Sequence, residues 1–223
     1  MSVTKYATLV ICLTALLGAK PAVAALTHFA LQFQHNRIEL SQNDHPIAID
    51  YSNYHIRYGE QTTDWLQFDL IVGQTVGNTK SEPLTTGLDM SGYYAGLNIS
   101  ARTLTGSRFQ FNYDLRYLYH DLEGMDANLD ANLIWHELRG QLTAQFKLDE
   151  TYALYGCGRI VAIQGEELLR GSSNNDFDFE QRKRGAACAG VLLNYGTDGY
   201  IGFEIETGTM RGANLYFGRY FAF

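Results

Sequence analysis

Three observations predict an all-β chain, closed into an antiparallel transmembrane β-barrel of about ten strands, with eight or twelve as the alternatives. Ten segments alternate apolar and polar residues with the period of a strand. Several run ten residues or longer, nearer the about 9 to 11 residues of a tilted membrane strand than the roughly 5 to 6 of a soluble one. The connections between them alternate short and long, as the two ends of a membrane-set barrel require. Nothing after residue 24 approaches roughly 18 consecutive apolar residues, so a membrane can be entered only with strands.

Residues 1–24 read as a cleaved secretory signal. Lys5 lies in a short basic start, an apolar run extends from Ala7 to Leu17, and Ala22-Val23-Ala24 forms a small-residue cleavage site. Cys12 is preceded by Ile11, where lipid attachment wants a small residue, and is expected to be discarded with the signal. Residues 25–223 then form one barrel domain, since no linker or shift in composition divides them.

The strands follow in order. Segment 27–38 alternates cleanly. In 47–59 the apolar set shifts from Ile47, Ile49 and Tyr51 to Tyr54, Ile56 and Tyr58, and a bulge near Ser52 is expected to reconcile the two halves. Segment 64–73 sets Leu66, Phe68, Leu70 and Val72 against Gln67 and Asp69, and 90–102 follows. Segment 108–120 is the clearest. Phe109, Phe111, Tyr113, Leu115, Tyr117 and Tyr119 take one face, with Gln110, Asn112, Asp114, Arg116 and His120 on the other and only Leu118 out of pattern. Segment 134–148 sets Leu138, Leu142 and Phe146 against Glu137, Arg139, Gln141 and Lys147. Segments 151–164, 185–195, 199–208 and 213–223 complete an even number, which leaves no unpaired edge in lipid.

The short connections are 60–63, 104–107, 149–150 and 196–198; those at the other end, 74–89, 121–133 and 165–184, are longer and polar. The stretch holding Asn174, Asn175, Asp176, Asp178 and Glu180 reads as charged surface, and the acidic group of Asp121, Glu123, Asp126 and Asp130 lacks the spacing of a calcium loop. After the signal, 15 basic residues face 24 acidic ones, which argues against nucleic acid as a partner. No cofactor is implied.

With apolar faces outward, Asp69, Arg102, Asp114, Arg116, Glu137, Arg139, Arg159, Glu204 and Glu206 share one lumen, where mixed signs must pair. Asp114 and Arg116 are expected to face Arg139 and Glu137 with opposite signs opposed. Pairing across 165–184 that sets Tyr152 opposite Leu193 also sets Cys157 opposite Cys188, so a cross-strand disulfide is available. His120-Asp121 and His136-Glu137 end neighbouring strands, where two imidazoles and two carboxylates could meet as general-base equipment. No Ser accompanies them, and interface side chains are the expected reading.

The last eight residues, Tyr216-Phe217-Gly218-Arg219-Tyr220-Phe221-Ala222-Phe223, resemble the carboxyl-terminal assembly signal of bacterial outer-membrane β-barrels, carried by Tyr216, Gly218, Phe221 and Phe223. The resemblance implies an integral protein of the Gram-negative outer membrane, with outer-membrane lipid around it and periplasmic chaperones and the barrel assembly machinery as partners in biogenesis. A monomer is expected. Among such proteins the chain is similar to small solitary barrels of the autotransporter translocator type, although the lumen helix and passenger of a full translocator are not seen. The role implied is structural or interactive and non-enzymatic. The alternatives are a narrow solute or ion pore, an outer-leaflet lipid A-modifying hydrolase, and a soluble periplasmic β-barrel or sandwich whose apolar residues face a core.

Overall fold

The computed structural model describes residues 26–42, 45–79, 88–106, 108–126, 129–171, 174–181, 184–196 and 198–222. The signal segment with Cys12, residues Arg182 and Lys183, the side chain of Asp126, and Phe223 of the assembly motif lie outside them.

Eleven strands form one antiparallel sheet: β1 (Leu26–Gln42), β2 (His45–Thr63), β3 (Leu66–Thr79), β4 (Asp89–Thr105), β5 (Phe109–Asp126), β6 (Leu129–Lys147), β7 (Tyr152–Gly171), β8 (Asn175–Gln181), β9 (Gly185–Tyr195), β10 (Gly199–Gly208) and β11 (Met210–Ala222). Ten of them close a ring. It runs β1 to β7, then β9, β10 and β11, and β11 returns to β1 through Leu26↔Ala222 to Ile38↔Met210. Closure satisfies every strand edge internally, as lipid demands.

The side-chain faces divide as the alternation requires. Phe109, Tyr113 and Leu142 are 56, 48 and 44% exposed on the outer surface, whereas Arg139 is 4% exposed inside the barrel. Phe29, Leu31, Ile56, Leu70, Val72, Leu97, Leu115, Leu138, Leu154, Phe203, Ile205 and Leu215 extend the outer apolar belt around the circumference. Such a surface is unsustainable in water and suited to acyl chains. Aromatic side chains edge it, with Phe109 and Phe146 paired across β5 and β6 at 4.8 Å between ring centroids. The core-facing soluble barrel is thereby excluded.

Three expectations are corrected. The long polar connections are largely strand: β5 and β6 pair as far as Asp126↔Leu129, and β7 continues to Gly171. No bulge occurs at Ser52, because β2 pairs without a break with β1 from Gln42↔His45 to Leu26↔Gln61 and with β3 from Ile49 to Gln61. Its inward set simply changes character along the strand, from Ile47, Ile49 and Tyr51 to Asn53 and His55. The stretch around Asp176 and Asp178 is the strand β8.

That extra strand reshapes one end of the barrel. β1 to β7 span 14 to 20 residues, but β9, β10 and β11 only 10 to 13. The wall is therefore low on one side. β7 pairs with β9 only up to Ile160↔Gly185; above this, Gln164 to Leu169 pair with β8, which in turn pairs with Leu40 to Gln42 of β1. β8 thus stands in for the three short strands, and the ring narrows from ten strands at the short-turn end to eight at the other. Gly208, at φ 113° in the hairpin between β10 and β11, sits where a Cβ would lie 2.6 Å from the Gly185 carbonyl oxygen. Only glycine allows this low rim to pass beneath the branch.

Candidate functional site

The lumen encloses a large polar space, and it has two layers. At the narrowed end most inward side chains are apolar, with Glu167 of β7 and Gln181 of β8 as buried polar exceptions. Ile38, Leu40, Ile47, Ile49, Leu122, Leu133, Trp135, Val161, Ile163, Leu169 and Met210 pack with Phe179 of β8 into one buried cluster. Gly165 makes room for this lid, since a Cβ there would lie 2.5 Å from Phe179 Cζ. Beneath the cluster lies an aromatic layer in which the His120 ring stacks on Trp135 at 4.2 Å and on Tyr94 at 4.8 Å, and Tyr94 hydrogen-bonds His55. A lumen wholly filled with charge was expected; the ion pairs occupy the wide half, and the narrowed half holds the buried carboxylate of Glu167 among its apolar side chains.

In that half, three arginines are held by carboxylates. Asp69 pairs with Arg57 and also accepts from Gln67 at 2.6 Å and Asn98 at 3.0 Å. Glu137 and Arg139, two apart on β6, pair at 2.7 Å. Arg159 reaches over β9 to β10, where Nη2 meets Glu204 and Nη1 meets Glu206, both at 2.7 Å, while Nε donates to Gln141 at 2.6 Å. The small inward residues Ala186, Cys188 and Gly190 of β9 clear that path. Arg102 lies toward the mouth, and Asp114 accepts from Ser100 Oγ at 2.5 Å.

The expected opposition of signs between β5 and β6 is not found. Arg116 faces Arg139 directly, Asp114 faces Gln141, and Glu137 faces Leu118. Leu118, out of pattern in the sequence, packs inside with Ile71 and Tyr94.

Cys157 and Cys188 are disulfide-bonded in the expected register, with Cα atoms 4.9 Å apart. The bond clamps β7 to β9 just below the branch at Ile160 and encloses β8. The sequence separation is 31 residues, for which chain entropy predicts a contribution of about 3 to 4 kcal/mol. Replacing both cysteines by serine is therefore expected to lower the temperature of gel-form conversion without altering the folded form. Thiol labelling of native wild type supplies the check, and two alkylatable cysteines would refute the bond.

The rim histidines are not brought together. His120 is fully buried in the lumen, while His136 points outward between Tyr117, whose hydroxyl lies 2.7 Å from Nδ1, and Tyr119. Adjacent residues on facing strands, they occupy opposite faces of the sheet, so no dyad forms. At the other end, Gly218 and Gly202 seat Tyr200 and Tyr216, whose ring atoms lie 2.2 and 2.0 Å from where a Cβ would be. In β11, therefore, Gly218 has a packing role that its place in a terminal motif does not convey, beside the inward Tyr216 and the outward Phe221.

No family model and no curated protein matches the chain. Solved structures do. An outer-membrane channel from Pseudomonas putida F1 superimposes with TM-score 0.51 at 13% identity, over 92% of this chain and 98% of that one. The fold is that of the bacterial outer-membrane β-barrels. The outer-membrane protease OmpT from Escherichia coli is similar at TM-score 0.50 and 8% identity, over 89% and 96% of the two chains. The translocator domain of autotransporter NalP from Neisseria meningitidis gives 0.49 at 9%, over 97% and 96%. This barrel fold with its continuous apolar belt sits in the outer membrane.

Proposed function

We propose that the protein is a non-conducting outer-membrane barrel, set with its short turns toward the periplasm and its sealed, β8-capped end outward, where it presents a surface for interaction. The apolar cluster beneath β8 carries this reading. An ion crossing it would shed its water against Ile, Leu, Val and Phe side chains, with the buried Glu167 and Gln181 too few to replace that water, and apolar constrictions close pores by dewetting. The ion pairs of the wide half brace the wall from within, and the outer end offers Asp89, Glu123, Asp130, Asp176, Asp178 and Glu180 as exposed acids. Assembly from the periplasm through the terminal strand β11 fits this architecture, since β11 must find β1 to close the ring.

Planar-bilayer recordings test the reading. The purified folded barrel is expected to show no discrete conductance steps, and reproducible steps from wild-type protein would replace it with the pore. The hydrolase alternative loses the support it drew from a His120–His136 pair, because the two rings lie on opposite sides of the wall.

A further inference from the structure

The wide half of the lumen contains a cavity of about 620 Å³, and its lining includes Asp64, Trp65, Glu150, Gly196 and Asp198 from the short turns. It therefore opens at the periplasmic end and finishes blindly below the seal. That volume is within the range of small-molecule sites.

Among the arginines lining it, Arg102 is exposed at the mouth, and of the four deeper ones Arg116 is distinct. Arg57, Arg139 and Arg159 each have a carboxylate within ion-pair distance, whereas Arg116 has none among the described residues. The hydrogen bond recorded for it runs from Nε to Asn98 Oδ1 at 3.5 Å. A guanidinium carries five N–H donors in a planar fork, so most of its capacity is unspent. The surroundings add to the imbalance. Arg139 stands directly across the strand pairing, and Arg57 and Arg159 are near enough to repel the same charge. Asp114, two residues along β5, offsets part of this, but its Oδ1 is engaged by Ser100 and it makes no ion pair with Arg116. Like charges directly opposed in a sheet are destabilising. An anion set among these groups would relieve the repulsion and fill the fork.

We propose that the cavity is a binding site, entered from the periplasm, for a small oxyanion, a carboxylate or a phosphate, held at Arg116. Bidentate pairing of guanidinium with either group supplies the recognition, and the polar cavity accommodates the remainder of the molecule. The nearby Asp114 carboxylate opposes a high ligand charge. The inference goes beyond the closed-lumen reading and depends on the periplasmic mouth alone, so conductance and binding fail separately.

Calorimetric titration of the folded barrel in uncharged detergent at low salt, with inorganic phosphate and with acetate as separate probes, decides the matter. Wild type is expected to give saturable binding of at least one probe, and which one assigns the anion class. Arg116→Gln is expected to weaken it by at least about tenfold, in line with the loss of a charge-assisted pair, while Arg37→Gln, exposed on the outer face and away from the cavity, leaves it unchanged. Asp114→Asn retains Arg116 and removes the opposing charge; it is expected to tighten binding, which keeps the proposal open to test should Arg116→Gln fail to fold. Absence of saturable binding to wild type, equal affinity in a folded Arg116→Gln, or unchanged or weaker binding in Asp114→Asn would overturn it.

Discussion

Arg159→Leu is expected to destabilise the barrel by about 3 to 5 kcal/mol, the cost of leaving a buried ionic partner uncompensated. Two partners are stranded here, because Glu204 and Glu206 both end on this one guanidinium and are nearly inaccessible to solvent. That loss is a large share of the about 5 to 15 kcal/mol separating a typical folded domain from its unfolded chain. Conversion from the heat-sensitive folded gel form to the unfolded form should occur at a much lower temperature, and less barrel should reach the membrane. Arg159→Lys should be intermediate, since an ammonium keeps the charge but loses the fork that spans both carboxylates and Gln141. The decisive comparison is Arg159→Leu combined with Glu204→Gln and Glu206→Gln. If the defect comes from stranded charge, removing all three charges recovers most of the stability. If the triple variant is as unstable as the single one, Arg159 acts by filling space rather than by pairing.

The reach of Arg159 also shows why the ring was legible in the sequence and its interior was not. Strand position follows from period-2 alternation, a local property, and β9 and β10 fall at the residues the alternation marks. Cys157 and Cys188 were legible for the same reason, since one hairpin register fixes both. Lumen partners are non-local: Arg159 crosses over β9 to find β10, and no spacing rule on β7 encodes that. The upper half of β2 misled for a different reason. Ile47, Ile49 and Tyr51 are apolar like Tyr54, Ile56 and Tyr58, but the first set faces a protein core and the second faces lipid, and hydrophobicity alone does not separate those solvents. Unbroken parity was the available signal, because Ile47, Ile49 and Tyr51 share it with the polar Asn53 and His55. For β8, the alternation of Phe177 and Phe179 with Asp176, Asp178 and Glu180 is strand-like, yet its seven residues are too few to cross a membrane. They need only bridge β7 to β1 above it.

Opening the seal is expected to turn a silent barrel into a conducting one. The blockade has two parts, the lid strand β8 carrying Phe179 and the packed cluster anchored by Trp135. Trp135→Ala alone should cost about 3 to 5 kcal/mol and still not conduct, because the surrounding Leu133, Ile163 and Val161 remain apolar and the cavity left behind stays dry. Replacing 174–181 by a glycine-serine segment of the same length removes Phe177, Phe179 and Gln181 together, keeps the chain long enough to return from Gly171 to Gly185, and leaves the outer end of the lumen with seven tall strands and a gap beside β7. Water then reaches the cluster from outside. Combined with Trp135→Ala, which also removes the ring covering His120, it should join the outer surface to the periplasmic cavity. The double change is expected to give discrete steps in planar bilayers and faster uptake of small hydrophilic solutes by cells, with the Cys157–Cys188 bond holding β7 and β9 together below the cut. Heat-modifiable migration establishes that the variant is folded before it is recorded. A folded variant that stays silent would move the barrier inward, to the layer of Tyr94, His55 and the Glu137–Arg139 pair, and would make the apolar cluster a stabilising core rather than the gate.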